Sequence, residues 1–416
     1  MIKYTPYGQF VLDKTKQCPV LIFCFFLLKG GADIKKIKPY IKMFFQRADM
    51  FLLGMCTLCA IFGCIVVYMA VVGMTEGGAL SNPTKFLVVQ IFSVFLGIGG
   101  FIVFTVIDSD ILGDQWKALW VMIILLLVAL VVFGQDDGTG NKSWIRFAGI
   151  GVQPSEIIKI LYIIVSAKLM TYLKEYKDIN SFFSVVQMAG HFVITFGLII
   201  VVSSDLGNAI ILLAIFLVMF FVLGVRLYWF AVGGAAVSAA IPLLWTYFLK
   251  DYQKKRLIAP YDPTIDPDGW GITWQTTQSK LTLASGRLTG VEEGHRYSVF
   301  TGKHTDFIFS CVGENMGMIG CLVVILLLTI IIIHCARVGL SAGRTYDMLV
   351  CMGITAAVAF QTFINIGMCI GITPVIGITL PFFSYGGSSM VTMYCAMGII
   401  SGTKFKLKPQ HGSLLI

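Results

Sequence analysis

The chain has 416 residues, of which 57% are hydrophobic and only 13% charged, where a soluble protein of this size carries roughly a quarter charged residues. That excludes a soluble globular domain. The recurring apolar runs, each long enough to cross about 30 Å of hydrocarbon, make it a polytopic membrane protein of one domain. The net charge of +9 is no sign of a nucleic-acid partner, because lysine and arginine in a membrane protein chiefly set orientation.

Residues 1–49 form an N-terminal extension. Within it, CPVLIFCFFLL at 18–28, flanked by Lys14, Lys16 and Lys29, is too short to span and lacks a small-residue cleavage site. It reads as an interfacial segment rather than an extra crossing. Hydropathy then gives ten spans, near residues 50–73, 86–107, 116–134, 154–173, 185–202, 207–224, 227–249, 306–335, 346–371 and 378–402. Cys56 and Cys59 have CxxC spacing but lie inside the first span with no second pair or His nearby, so they read as core packing.

An even number of spans puts both termini on one side. Nine basic residues before residue 50, Lys404, Lys406 and Lys408 in the tail, and Arg337, Arg344, Lys174, Lys177 and Arg226 in short loops all fall on that side. The opposite short loops carry only Lys85, Lys142 and Arg146. Both termini, including the tail 406–416, are therefore expected in the cytoplasm.

The loop 250–305, between spans seven and eight, is then extracellular. Asp262-Pro263 and Asp266-Pro267 mark turns, and WGITWQTTQSKLTLASGRLTG predicts a short amphipathic helix on the outer leaflet ending at Ser285-Gly286. No internal repeat points to the inverted-repeat plan of many transporters.

An ionisable side chain at membrane depth costs about a few kcal/mol, so each needs a partner or a task. Four stretches stand out. In NKSWIRFAGIGVQPSEIIKI, Pro154 starts a helix with Gln153 as its cap; Glu156 and Lys159 share a face, as a self-neutralising pair or as the wall of an outward-facing cavity. In SSDLGNA, Asp205 is placed to cap the next span or to bind a sugar or cation. In ITPVIGITLPFFSYGGSSM, Pro374, Pro381 and Gly386-Gly387 break the helix, and the freed backbone N–H groups suit a phosphate or carboxylate. In GKHTDFIFSCVGENMG, Asp306 sits where the eighth span begins, as a helix cap or as a desolvated general base. His304 is placed to orient it or to join it on a divalent cation.

In this order, the four stretches resemble the SEDS family (RodA, FtsW and SpoVE) of peptidoglycan glycosyltransferases, from about residue 50 to 405. The motifs are Trp144 with Gln153 to Lys159, Asp205-Leu206-Gly207, Tyr252, Gln253 and Arg256 followed by Asp262 to Gly269, HTDFIF…GE at 304–314, and Asn365 to Ser388. The chain departs from the pattern at Ser203-Ser204, over 285–294, at Phe300 to Lys303 and at Asn315-Met316.

The resemblance implies ten glycosyltransferase-C-like helices and an inverting reaction. The substrate would be lipid II, polymerised into undecaprenyl-linked glycan with release of undecaprenyl pyrophosphate. Asp306 becomes the catalytic base, and Trp144, Glu156, Lys159, Asp205, Arg256, Gln278, His304, Ser384, Gly386, Gly387 and Ser388 the substrate-binding candidates. Lys159, Arg256 and the 381–388 segment are the candidates for stabilising the diphosphate. The implied partners are a class B penicillin-binding protein and membrane lipids. No cofactor is assigned beyond a divalent cation, magnesium or manganese, at His304 and Asp306. Two other readings stay open at this level: a lipid II flippase, and a weakened enzyme that serves as scaffold for the penicillin-binding protein.

Overall fold

The computed structural model describes residues 3–4, 10–11, 44–46, 48–76, 83–135, 143–147, 150–249, 251–291, 300 and 302–404. The interfacial segment expected at 18–28 and the tail 406–416 lie outside these residues. Among the described residues the chain is all-α apart from two small antiparallel hairpins, β1 (Lys3–Tyr4) with β2 (Phe10–Val11), and β3 (Ile145–Phe147) with β4 (Ile150–Val152). The helices before the long loop are α1 (Met50–Glu76), α2 (Pro83–Val106), short α3 (Ser109–Asp114), α4 (Trp116–Phe133), α5 (Pro154–Tyr176), α6 (Phe182–Ser203), α7 (Leu206–Leu223) and α8 (Leu227–Leu243). Within the loop are α9 (Asp251–Ile258) and α10 (Trp274–Ser285), and after it α11 (Ile308–Leu340), α12 (Thr345–Ile370) and α13 (Gly387–Lys404).

Among the described residues, eight of the ten long helices are long and apolar enough to cross a membrane. The other two, α5 and α13, carry more polar groups, and most of their residues are buried against neighbouring helices. That is where a membrane protein keeps polar side chains, away from lipid. α13 lies along α2 at close range: a Cβ on Gly398 would sit 2.6 Å from the Phe101 carbonyl. Small residues let membrane helices gain dispersion energy by such approach, since lipid gives no hydrophobic drive for it.

Helix alternation puts the start of α1, the 107–115, 177–181, 224–226 and 341–344 connections and the end of α13 on one face. Ion pairs join them there. Asp49 accepts from Lys404 at 2.9 Å and lies 2.6 Å from His334. Arg344 grips Asp110 through both carboxylate oxygens at 2.6 and 2.7 Å and also reaches Asp347, while Lys168 meets Asp114 at 3.0 Å. The acidic 107–115 connection is thus matched to bases from elsewhere in the chain.

Three details of the opposite face differ from the sequence expectation. The tenth helix starts at Gly387, not near 378, because the prolines and glycines keep 371–386 out of helix. The eighth is interrupted at Gly317 (φ 63°, ψ −161°). The loop helix α10 ends at Ser285 as expected but is docked on the bundle instead of lying on the leaflet. Its Ser279 hydroxyl pairs with Ser310 at 2.5 Å and donates to the Cys369 carbonyl at 2.7 Å. After it, the backbone wraps the α11 break, with Met318 N–H bonded to Arg287 O (2.9 Å) and Val291 N–H to Glu314 O (2.8 Å). A Cβ on Gly286 would run into the Gly313 carbonyl. Gly286→Ala is therefore expected to destabilise this docking by about 1–3 kcal/mol, read as faster limited proteolysis within 274–291.

Candidate functional site

The turn that leads into α11 is fastened at four consecutive residues. The Lys303 ammonium donates to Glu314 Oε2 at 2.5 Å. The His304 carbonyl accepts from the Tyr385 N–H at 3.0 Å, the Thr305 carbonyl from Ser384 Oγ at 2.6 Å, and the Asp306 carbonyl from Asn365 Nδ2 at 2.7 Å. Asp306 does not cap α11; the residue before the helix is Phe307, with no side-chain cap. The Asp306 carboxylate makes no hydrogen bond to a described residue. Burial pushes its carboxyl up to about 6, and the negative charge of Asp205 adds to the rise. Such a group is ionised at neutral pH yet basic enough to take a proton in a transition state. Gly377, with φ 69°, brings bare backbone beside it: a Cβ there would lie 3.7 Å from Asp306 Oδ2.

His304 does not orient Asp306. Its ring packs edge-on to Phe86 at 5.3 Å between centroids and lies 5.6 Å from Tyr385, with Nδ1 buried and unpartnered. Burial lowers its pKa to about 4, so the imidazole is neutral at pH 7. Among the described residues no three His, Cys, Asp or Glu side chains converge to hold a metal ion. The His304 ring, turned to Phe86 and Tyr385, does not pair with Asp306 as a donor set for a cation.

Asp205 caps α7, accepting from the Asn208 N–H at 3.0 Å. Its other oxygen accepts from Gln153 Nε2 (2.9 Å), Ser155 Oγ (2.8 Å) and Asn208 Nδ2 (2.8 Å). Gln153 thus precedes α5 without capping it, because its amide is turned to Asp205. The Trp144 ring lies against Gly151 in the β3–β4 hairpin just upstream.

Glu156 and Lys159 form a buried pair at 3.0 Å, with the ammonium also donating to Gln361 Oε1 at 3.3 Å and Glu156 accepting from Ser389 at 3.4 Å. The Gln361 amide reaches the Thr379 carbonyl at 3.1 Å. Lys159 is fully enclosed, which favours the self-neutralising pair over a charged cavity wall.

Residues 376–389 are the hub that these groups share. Asn365 joins Ile378 O (2.6 Å) to the Asp306 carbonyl, and Gly207 lies close under the Ile376 carbonyl. The expectation of free backbone donors is corrected over 383–386. The Phe383 and Ser384 N–H groups close on Leu380 O, Tyr385 on His304 O, and Gly386 on Gln90 Oε1. Ser384 is a buried tie, Ser388 Oγ accepts from the Gln153 N–H at 3.2 Å, and Gly387 packs on Ser93. The half-buried side chains of Arg256 and Gln278 make no hydrogen bond or ion pair with a described residue. Sequence reasoning missed Gln90 and Gln361 as site supports; a lone amide in an apolar run was the available signal.

The model of the FtsW/RodA/SpoVE cell cycle proteins matches residues 49–408. A Geobacter metallireducens protein named "Probable peptidoglycan glycosyltransferase FtsW" is 31% identical over 374 residues, covering 87% of this chain and 96% of the relative. Stage V sporulation protein E of Bacillus subtilis is 33% identical, covering 74% and 84%. Peptidoglycan glycosyltransferase MrdB of Escherichia coli K12 is 28% identical, covering 83% and 91%. Among solved structures, a chain from "Structural coordination of polymerization and crosslinking by a peptidoglycan synthase complex" has a TM-score of 0.72 at 24% identity, covering 87% of this chain and 99% of that one. The crystal structure of Thermus thermophilus rod shape determining protein RodA has a TM-score of 0.62 at 22% identity, covering 86% and 96%. With its polar hub set among ten long helices, the chain belongs to the FtsW/RodA/SpoVE family of cell cycle proteins.

Proposed function

We propose that this protein is an inverting peptidoglycan glycosyltransferase that polymerises lipid II at the outer face of the bacterial cytoplasmic membrane. The observation that carries the reading is the Asp306 carboxylate: raised in pKa, held through its neighbours' main chain, and bonded to no described residue. Relatives named as peptidoglycan glycosyltransferases support the reaction class. Asp306 takes the proton of the acceptor GlcNAc 4-hydroxyl as that oxygen attacks the donor MurNAc anomeric carbon. The new C–O bond forms opposite the diphosphate, the old bond breaks with its electron pair on undecaprenyl pyrophosphate, and the centre inverts from α to β. The Arg256 guanidinium is the candidate to meet the developing diphosphate charge; Lys159, enclosed by Glu156 and Gln361, is not.

The basic face carrying both termini is cytoplasmic, so the Asp306 face is extracellular. Residues 50–405 are the membrane domain, between the N-terminal extension and the tail. A class B penicillin-binding protein is the proposed partner, in keeping with the synthase complex in which a similar fold occurs. Purified protein with lipid II should yield glycan strands on a gel. Transbilayer movement of labelled lipid II with no strands, even with the partner added, would overturn the reading. The rate should also fall about tenfold per pH unit below about pH 6, because a base must be unprotonated to act. A flat profile from pH 5 to 7 would remove Asp306 from that role.

A further inference from the structure

We infer that Lys303 and Glu314 are a positioning clamp for the Asp306 turn, a role that rests on Asp306 being the base. Three of the four ties on residues 303–306 hold carbonyl groups and come from α12 or the broken segment. The tie at Lys303 is made instead by a side chain of the turn, and its partner lies on α11, the helix that the turn itself opens. It closes the turn onto α11 across an 11-residue separation. Both side chains are buried, 5% and 1% exposed, so the pair is little screened by solvent.

Glu314 is held from a second direction. Its carbonyl accepts from the Val291 N–H at 2.8 Å, just ahead of the Gly317 break. The clamp therefore couples the loop after α10, the first part of α11 and the Asp306 turn into one unit. The clamp acts through the geometry of the turn that carries Asp306.

The experiment uses the full-length protein with lipid II, and with the penicillin-binding partner if the wild type requires it. The neutral pair Lys303→Met with Glu314→Gln keeps the volumes and removes both charges of the tie; such replacements of buried ion pairs are often neutral for stability. The charge-swapped pair Lys303→Glu with Glu314→Lys rebuilds the tie in reverse. The neutral pair should melt like wild type and keep KM for lipid II within about twofold. Its kcat should fall about 10- to 100-fold, because small misplacements of reacting groups have effects of that order. The swapped pair should recover kcat to within about fivefold. A folded neutral pair with wild-type kcat would overturn the clamp, and so would a folded swapped pair that binds lipid II but recovers nothing. Asp306→Asn in the same assay separates the two ideas: if it polymerises normally the base assignment fails, whereas if it is inactive and the neutral pair is not, only the clamp fails.

Discussion

Asp306→Asn is expected to leave the protein folded while lowering strand synthesis by about 10²–10⁴-fold, the usual contribution of a general base. Asparagine has the same shape but accepts no proton at physiological pH. The substitution breaks no bond that the carboxylate makes with a described residue. The turn is held by carbonyl groups and by Lys303, none of which the change touches. Removing a charge that burial disfavours should leave the melting temperature equal to or slightly above that of wild type. Asp306→Glu keeps the base but moves it by about 1 Å, and an intermediate loss of about 10²-fold is expected. Glycan length and rate on a gel, with melting curves on the same preparations, check both. An Asp306→Asn protein that makes strands at the wild-type rate would end the mechanism.

The largest loss of stability is expected from Lys159→Met. It strips the cation from a fully buried pair and leaves Glu156 facing Gln361 and Ser389 with no positive partner. Breaking a buried pair on one side costs about 3–5 kcal/mol, a large share of the roughly 5–15 kcal/mol that holds a domain. The double change Lys159→Met with Glu156→Gln should restore most of that loss, since neither group is then charged. Thermal unfolding in detergent is the measurement. A single variant as stable as wild type would mean that the pair is not a structural strut.

The spans were legible because hydropathy acts over whole segments, and ten runs of apolar residues leave few alternatives. The break at 371–386 was legible from Pro374, Pro381 and Gly386-Gly387, whose backbone limits are local. What the sequence hid is where polar groups end up relative to one another. Nothing local shows that Gln153 turns to Asp205 instead of capping α5, or that the 383–386 N–H groups find acceptors on α2 and on the His304 turn. The docking of α10 was hidden for a related reason. Its sequence looks amphipathic enough for a membrane surface, and only the tertiary fit of Gly286 over Gly313 shows that α11 is its support. The partner of Glu314 was hidden as well, because Lys303 lies beyond the turn and off any helical spacing.

Helix α11 is 33 residues long, about 50 Å at 1.5 Å per residue, against a hydrocarbon thickness of about 30 Å. The interruption at Gly317 divides that surplus from the crossing. Residues 318–340 by themselves reach about 35 Å, enough for the crossing, so the surplus is the roughly two and a half turns before the break. With that surplus outside the hydrocarbon, Glu314, Lys303 and Asp306 would escape the insertion penalty of about 2.5–3.5 kcal/mol that an ionised side chain meets at mid-bilayer. On the proposed function, a site at that height would meet a prenyl-linked sugar where it carries its own phosphates, and the tail of that lipid would not need to rise to it.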